Sequence, residues 1–449
     1  MSDKKITVLG GGLAGLAFAW EADKKGFPTE IHEADRHIGG LARTVGKNGY
    51  AFDLGGHRFF TDKEWIVDWV RDLLGDRLLE VPRKSRIYMA GRFFDYPLRP
   101  GNALWSMGAA MALKILAGYA ISALRFPFKR LPDDSFEGWI INRFGRGLYE
   151  IYFEPYTEKV WGIPCSEISA EWAVQRISLM SLTDAVIKAV FQSEEGPKTY
   201  ASRFYYPKGG VCGIPDELAR RLSDAGHRIV TESRATRIVH RSGRVEAVQF
   251  GDGEETAVES VVSTIPVTDL VRMMDPPPPP EVMQAASMLS YRSIVCVFLL
   301  LDKPEVTDDT WIYFPDKETL FGRLHEPRNW DRSMVPEGKT SVCLEIFCNE
   351  GDDAWSMSDR DLLERCMEPL HRLGFVSREE VVDFFTERVP NAYPVFTVGY
   401  EENLERVFSF TGGIGNLELL GRTGAYLYHN MDQVIEDAIA KAEQIAAKW

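Results

Sequence analysis

The chain has 449 residues, 45% hydrophobic and 12% aromatic, more than one hydrophobic core usually organises, which predicts two or three packed regions. Its formal net charge of -14 argues against a nucleic-acid binder, because neutralising phosphates needs a basic surface, so any bound anion must meet a local cluster of arginines. Six cysteines, Cys165, Cys212, Cys296, Cys343, Cys348 and Cys366, have neither CxxC pairing nor disulfide-scaffold density, which argues against a structural metal site and predicts reduced thiols in a cytoplasm.

In chain order, Lys4 and Lys5 lead at once into a strand, Ile6 to Leu9, leaving no room for a secretory signal and predicting a cytoplasmic protein. A glycine turn from Gly10 to Gly15, a helix from Leu16 to Lys25 and a strand from Pro28 to Ala34 complete a βαβ opening. Beyond Arg92 the pattern turns helical and aromatic to about Val190. Within it, Leu104 to Leu124 is apolar enough to leave peripheral membrane contact open, although a buried or surface-packed helix fits its polar interruptions better. Arg203 to Phe250 returns to short strands, with Gly213 opening a helix. Strand-like Val261 to Ile265 precedes the run Pro276 to Pro280, which is expected to join neither helix nor central sheet and to mark a boundary. Ile294 to Leu301, Thr310 to Phe314 and Thr340 to Phe347 read as a second sheet, and an amphipathic helix with an Asn430/Asp432 cap closes the chain.

The opening βαβ unit points to a dinucleotide. Gly10, Gly12 and Gly15 stand where a tight turn, close phosphate approach and helix packing each require a missing side chain. The following helix offers unpaired amides to a pyrophosphate. Glu33, at the end of the second strand, suits ribose hydroxyls and repels a 2′-phosphate, favouring FAD or NAD over NADP. The next turn, Gly39-Gly40-Leu41-Ala42-Arg43-Thr44, resembles that of flavoproteins of the amine oxidase group. That resemblance implies FAD, with Gly40 and Arg43 at its phosphates and flavin. It also implies that Val239, in the Arg237-Ile238-Val239 strand, lies near the adenine.

Several spaced motifs resemble the UDP-galactopyranose mutase family: Asp53-Leu54-Gly55-Gly56-His57-Arg58-Phe59-Phe60, Phe94-Asp95-Tyr96-Pro97-Leu98, Glu154 to Gly162, and Gly421-Arg422 with Tyr426 to Gln433. The resemblance implies an α/β fold with a glutathione-reductase-type Rossmann domain (1–90, 203–270, 395–449), an inserted helical region (91–202) and a second antiparallel sheet domain (271–394). It places Gly55, Gly56, His57, Arg422, Met431 and Asp432 at the flavin, where the glycines before His57 let the loop respond to redox state. Tyr96, Tyr156 and Trp161 offer flat faces to a base or sugar, and arginines pair with a diphosphate. By similarity Arg176 and Arg323 are the diphosphate clamps, assisted by Tyr313, Tyr393 and Tyr428, and with His57 they form the catalytic set.

The implied reaction interconverts pyranose and furanose forms of a nucleotide-diphosphate sugar through an adduct at N5 of reduced flavin, with no net redox and an electron donor for the flavin. Segment Trp161 to Trp172 is closer to a bacterial subgroup grouped with protoporphyrinogen-oxidase-like flavoproteins, which implies an FAD-dependent oxidoreductase as the alternative. Rab GDP-dissociation inhibitors share the scaffold as binding proteins, but the intact dinucleotide fingerprint speaks against that class. A homo-oligomer stays open.

Overall fold

The computed structural model describes residues 5–96, 117, 118, 121, 131–176 and 202–448. Strand β1 (Ile6–Leu9) runs into helix α1 (Leu13–Lys24) and strand β2 (Thr29–His32). Both strands are buried throughout, as expected of parallel strands covered on two faces. They form the centre of a five-stranded parallel sheet in the order Leu417–Leu419, Ser260–Ser263, β1, β2, Arg228–Val230. Alternation along β1 sorts its side chains: Ile6 and Val8 pack with α1 and the closing helix Met431–Lys448, while Leu9 meets a four-stranded sheet through Ile238 and Val248. The first and last segments of the chain therefore share one core, where Ala14, Ala17, Ala438 and Ala442 are all buried.

The second sheet has seven strands, in the order Val381–Pro394, Tyr291–Leu301, Thr340–Cys348, Arg323–His325, Trp311–Tyr313, Ser85–Met89, Arg92–Tyr96. All neighbours are antiparallel except Trp311–Tyr313 with Ser85–Met89, which run parallel. The strand Tyr291–Leu301 shows why antiparallel residues can read as one apolar run. Ile294, Cys296, Phe298 and Leu300 face the inserted helices, whereas Val295, Val297, Leu299 and Leu301 face the helix Asp359–Arg372. The Ser85–Tyr96 hairpin, cut by the expected division at 90/91, lies wholly within this sheet because Ile87 and Phe94 are buried beside Tyr313.

The proline run differs from expectation in one respect: Pro280 opens the helix Pro280–Met288. A proline is tolerated at the first helical position, where its missing amide has no intrahelical acceptor to lose. No described helix is long and apolar enough to cross a membrane. The apolar stretch 104–124 lies outside the described residues except for 117, 118 and 121.

Two cations, half-buried Lys159 and buried Arg292, lock the inserted helix Glu154–Trp161 to the second sheet. Lys159 Nζ donates to the carbonyls of Phe314, Asp316 and Phe321 at 2.8–2.9 Å. Arg292 donates to Val160 O at 2.9 Å and Phe347 O at 3.2 Å, satisfying a carbonyl in the last turn of that helix. Gly162 ends the helix at φ +72°, and a Cβ there would sit 2.6 Å from the Arg292 guanidinium. Replacing Arg292 with Met strips both buried carbonyls of their donor. The variant is expected to lose about 2–4 kcal/mol of stability, read from urea unfolding midpoints; an unchanged midpoint would refute this locking role.

Candidate functional site

The cofactor seat forms where β1 and β2 end. Gly10 adopts φ +106° and its amide donates to His32 O at 2.8 Å. A Cβ on Gly10 would collide with the Thr264 hydroxyl, and one on Gly15 with the Gly10 carbonyl, so these two glycines serve the turn itself. Gly12 differs. A Cβ there would come no nearer than 3.7 Å to a protein atom, Gly40 Cα, an ordinary contact, so the protein's own packing does not require glycine and leaves room for a ligand to approach. Gly12 is the N-cap of α1 and supplies no side-chain cap, leaving the helix amides for an anion. Glu33 accepts from the amides of Gly11 at 2.7 Å and Asp35 at 2.9 Å, which fixes its carboxylate beside the turn.

The second turn closes over the first through a bridge between Gly12 and Gly39, with Gly40 at φ +57°. Arg43 pairs with Asp35 at 2.8 Å, yet its Nε is buried without a protein partner. Backbone bonds from Glu232 to Asp35 and Ser233 to Glu33 bring the strand Ala235–Arg241, and buried Val239, alongside the end of β2. At the far end Met431 opens the closing helix, and Asp432 keeps a buried Oδ1 without a partner. Open glycine, uncapped helix and orphaned donor fit a dinucleotide of the FAD type.

A cavity of about 280 Å³ adjoins this seat and takes in Gly56, His57, Tyr313, Arg323, Tyr393, Arg422, Tyr428 and Met431. Strand pairing sets Arg323 directly opposite Glu345. The guanidinium donates to Glu345 at 3.1 Å, the Tyr156 hydroxyl at 3.0 Å and the Tyr393 hydroxyl at 3.3 Å. Glu345 is fully buried and also accepts from the Gly56 amide at 3.1 Å, so one carboxylate joins the histidine loop to the arginine. Arg422 donates to His429 O at 2.7 and 2.9 Å and to Ala392 O at 3.2 Å, and lies near the stacked rings of Tyr393 and Tyr428.

In the histidine loop Gly55 takes φ +86°, whereas Gly56 is glycine for a packing reason: a Cβ there would overlap the Trp311 indole. His57 Nδ1 lies 3.1 Å from Gly55 O. Burial, reinforced by the Arg422 charge, lowers its pKa to about 4, so the ring is neutral at pH 7. Asp53, which begins the motif, accepts from Thr44 Oγ1 at 2.7 Å, the Tyr206 hydroxyl at 2.6 Å and the Val211 amide at 3.1 Å. Burial raises its pKa to about 6 despite these bonds.

Other expected residues stand elsewhere. Trp161 is only 2% exposed and packs on Trp172, Tyr393 and Tyr428 behind the cavity rather than in it. Tyr156 backs Arg323, and Tyr96 packs against Tyr313 at 5.1 Å between ring centres. Arg176 ends the helix Ala170–Arg176, and its side chain lies outside the described residues. Sequence reasoning missed Arg58, Arg83, Arg203, Trp311 and Glu345 as site residues. Arg58 follows His57 directly, and Trp311 stands two positions before Tyr313 on the same strand face, so both carried a local signal. Arg83 and Arg203 meet only through the pairing of Leu78–Pro82 with Arg203–Pro207.

The family described as flavin containing amine oxidoreductase matches residues 13–447. The chain belongs to this family. Its cofactor is accordingly FAD, and it is a flavin-dependent enzyme. Among relatives, coproporphyrinogen III oxidase of Bacillus subtilis (strain 168) is 22% identical over 91% of both chains. Protoporphyrinogen oxidase 2 of Arabidopsis thaliana is 24% identical over 91% of this chain and 87% of its own. The crystal structure of reduced UDP-galactopyranose mutase superposes with a TM-score of 0.85 at 23% identity, covering 99% of this chain and 96% of the mutase.

Two titrations test the geometry. His57 has its pKa depressed, so it stays neutral from pH 5 to 8; labelled-histidine NMR should show no His57 step near 6.5, and such a step would place the ring in water. Asp53 has a folded pKa raised from 3.8 to about 6, so its contribution is full below about pH 4 and lost as pH rises through about 6. The Asp53→Asn variant should lack that fall, worth about 3 kcal/mol, when urea midpoints are compared across this window.

Proposed function

We propose that this flavoenzyme interconverts the pyranose and furanose forms of a nucleotide-diphosphate sugar with no net redox. One observation carries the reading: Arg58, Arg83, Arg203, Arg323 and Arg422 all reach a single cavity walled by Trp311, Tyr393 and Tyr428 in a chain of net charge -14. Such a pocket suits a substrate with concentrated negative charge and flat or hydroxylated parts. Reduced FAD, when bound, supplies the nucleophile toward an anomeric carbon, as the mutase resemblance implies.

The chain's own residues then bind, orient and balance charge. Arginines of this set hold the diphosphate and stabilise it as it leaves and returns. His57, with Nδ1 donating to the Gly55 carbonyl, keeps a lone pair on Nε2 that accepts from a sugar hydroxyl without becoming charged. Tyr393 and Tyr428 present stacked rings, and the Arg323 contact orients the Tyr393 hydroxyl. The buried aromatics behind them exclude water from the reacting carbon.

A second reading, an FAD-dependent oxidoreductase acting on an anionic substrate, is favoured by the near full-length similarity to coproporphyrinogen III oxidase. The deciding experiment reduces the holoenzyme with dithionite under anaerobic conditions, supplies UDP-galactose and other nucleotide hexoses, and separates the products. A ring isomer formed without consumption of reductant supports the mutase. No isomer from the reduced enzyme, together with stoichiometric use of oxygen or quinone and a desaturated product in a parallel aerobic incubation of the oxidised holoenzyme with an anionic porphyrinogen, refutes it in favour of the second reading.

A further inference from the structure

The arginines around the cavity are not equivalent. Arg323 meets the buried carboxylate of Glu345, so its charge is compensated before any substrate arrives. Arg422 spends donors on the carbonyls of His429 and Ala392. Arg58 has no such partner. Its guanidinium lies 4.5 Å from the Trp311 ring centre and 5.8 Å from that of Phe204, and its hydrogen-bonding neighbours are the hydroxyls of Ser85, at 3.4 Å, and Tyr313. Arg83 lies 5.4 Å from the Tyr96 ring centre, and its Nε is buried without a partner. Among the described residues, neither Arg58 nor Arg83 pairs with a carboxylate.

Backbone bonds hold these cations together. The Arg83 amide donates to Ser202 O at 2.8 Å, which sets Arg83 beside Arg203. Phe59 and Tyr205 exchange amide bonds at 2.8 and 3.1 Å, which sets Arg58 alongside the same strand. Arg203 has a carboxylate, Glu80 at 3.2 Å, but both side chains are at least half exposed, so the pair yields readily to a stronger anion. Three cations converging in a partly dry cavity repel one another and lose hydration, a cost that a bound anion offsets.

We infer that Arg58, Arg83 and Arg203 form the seat of the substrate's diphosphate, apart from Arg323, with Trp311 standing between the two arginine groups as a flat wall. This rests on the nucleotide-sugar reading for the diphosphate. The seat itself requires only a doubly charged oxyanion, which a polycarboxylate could also supply. Arg323 is thereby left to hold the Tyr156 and Tyr393 hydroxyls in place.

The oxidised holoenzyme should be titrated with UDP, following the flavin spectrum and binding heat at several salt concentrations, and with citrate as a carboxylate probe. In Arg58→Gln and in Arg83→Gln, UDP affinity is expected to fall at least about tenfold and its salt dependence to weaken, with Arg58→Lys recovering part of the loss. Arg203→Gln, at the rim, should lose less. FAD content and urea midpoints separate these effects from misfolding, and should Arg58→Gln lose its flavin, Arg83→Gln and Arg203→Gln still decide. UDP affinity unchanged within about twofold in both Arg83→Gln and Arg203→Gln, or absence of UDP binding to the parent, overturns the diphosphate seat. Citrate binding as tightly as UDP with the same losses also overturns the diphosphate assignment and makes the occupant a carboxylate. Isomerisation is read separately: UDP binding that depends on these arginines without isomer formation sinks the mutase reading alone, and isomer formation with arginine-independent UDP binding sinks the seat alone.

Discussion

The carboxylate of Glu345 is the constraint on which the site turns. It comes from a strand buried along its whole length, where an unpaired charge would cost several kcal/mol. Its partners are therefore obligatory: a backbone amide of the histidine loop on one side and the guanidinium of Arg323 on the other. That double attachment makes the loop next to the flavin seat and the tyrosine-bearing wall of the cavity one mechanical unit. The Trp311 ring wedged against Gly56 removes the remaining slack.

The cofactor seat is organised by a different economy, that of missing atoms. Gly10 and Gly15 make room for the protein's own backbone, whereas Gly12 leaves a space that the protein does not fill. The uncapped start of α1 and the orphaned Arg43 Nε border that space, so its shape and polarity belong to a ligand rather than to packing. Because the closing helix shares a core with α1, the seat is complete only when the last segment of the chain has docked.

What was legible in the sequence follows from how local its cause is. The glycine turn, the strand end that carries Glu33 and the closing helix leave their mark in short local sequence patterns and could be read directly. The alternating faces of Tyr291–Leu301 were hidden in an unbroken apolar run, because both faces are covered. Trp161 looked like a ligand face because aromatic residues carry no mark of whether they meet substrate or core. Arg83 and Arg203 are separated by 120 positions' worth of chain and meet across a strand pair, a relation that no spacing rule anticipates. Pro280 misled because a rule about helix interiors was applied to a helix start.

Lys159 gives the fold a further property. All three acceptors of its ammonium are main-chain oxygens, which every amino acid possesses. The path of the segment from Phe314 to Phe321 is thus anchored independently of which side chains it bears. Pro315, Lys317, Glu318 and Leu320 can be exchanged over evolutionary time without untying the anchor, so the link between the strands that carry Tyr313 and Arg323 has latitude to diverge in sequence while those two cavity-lining side chains stay put.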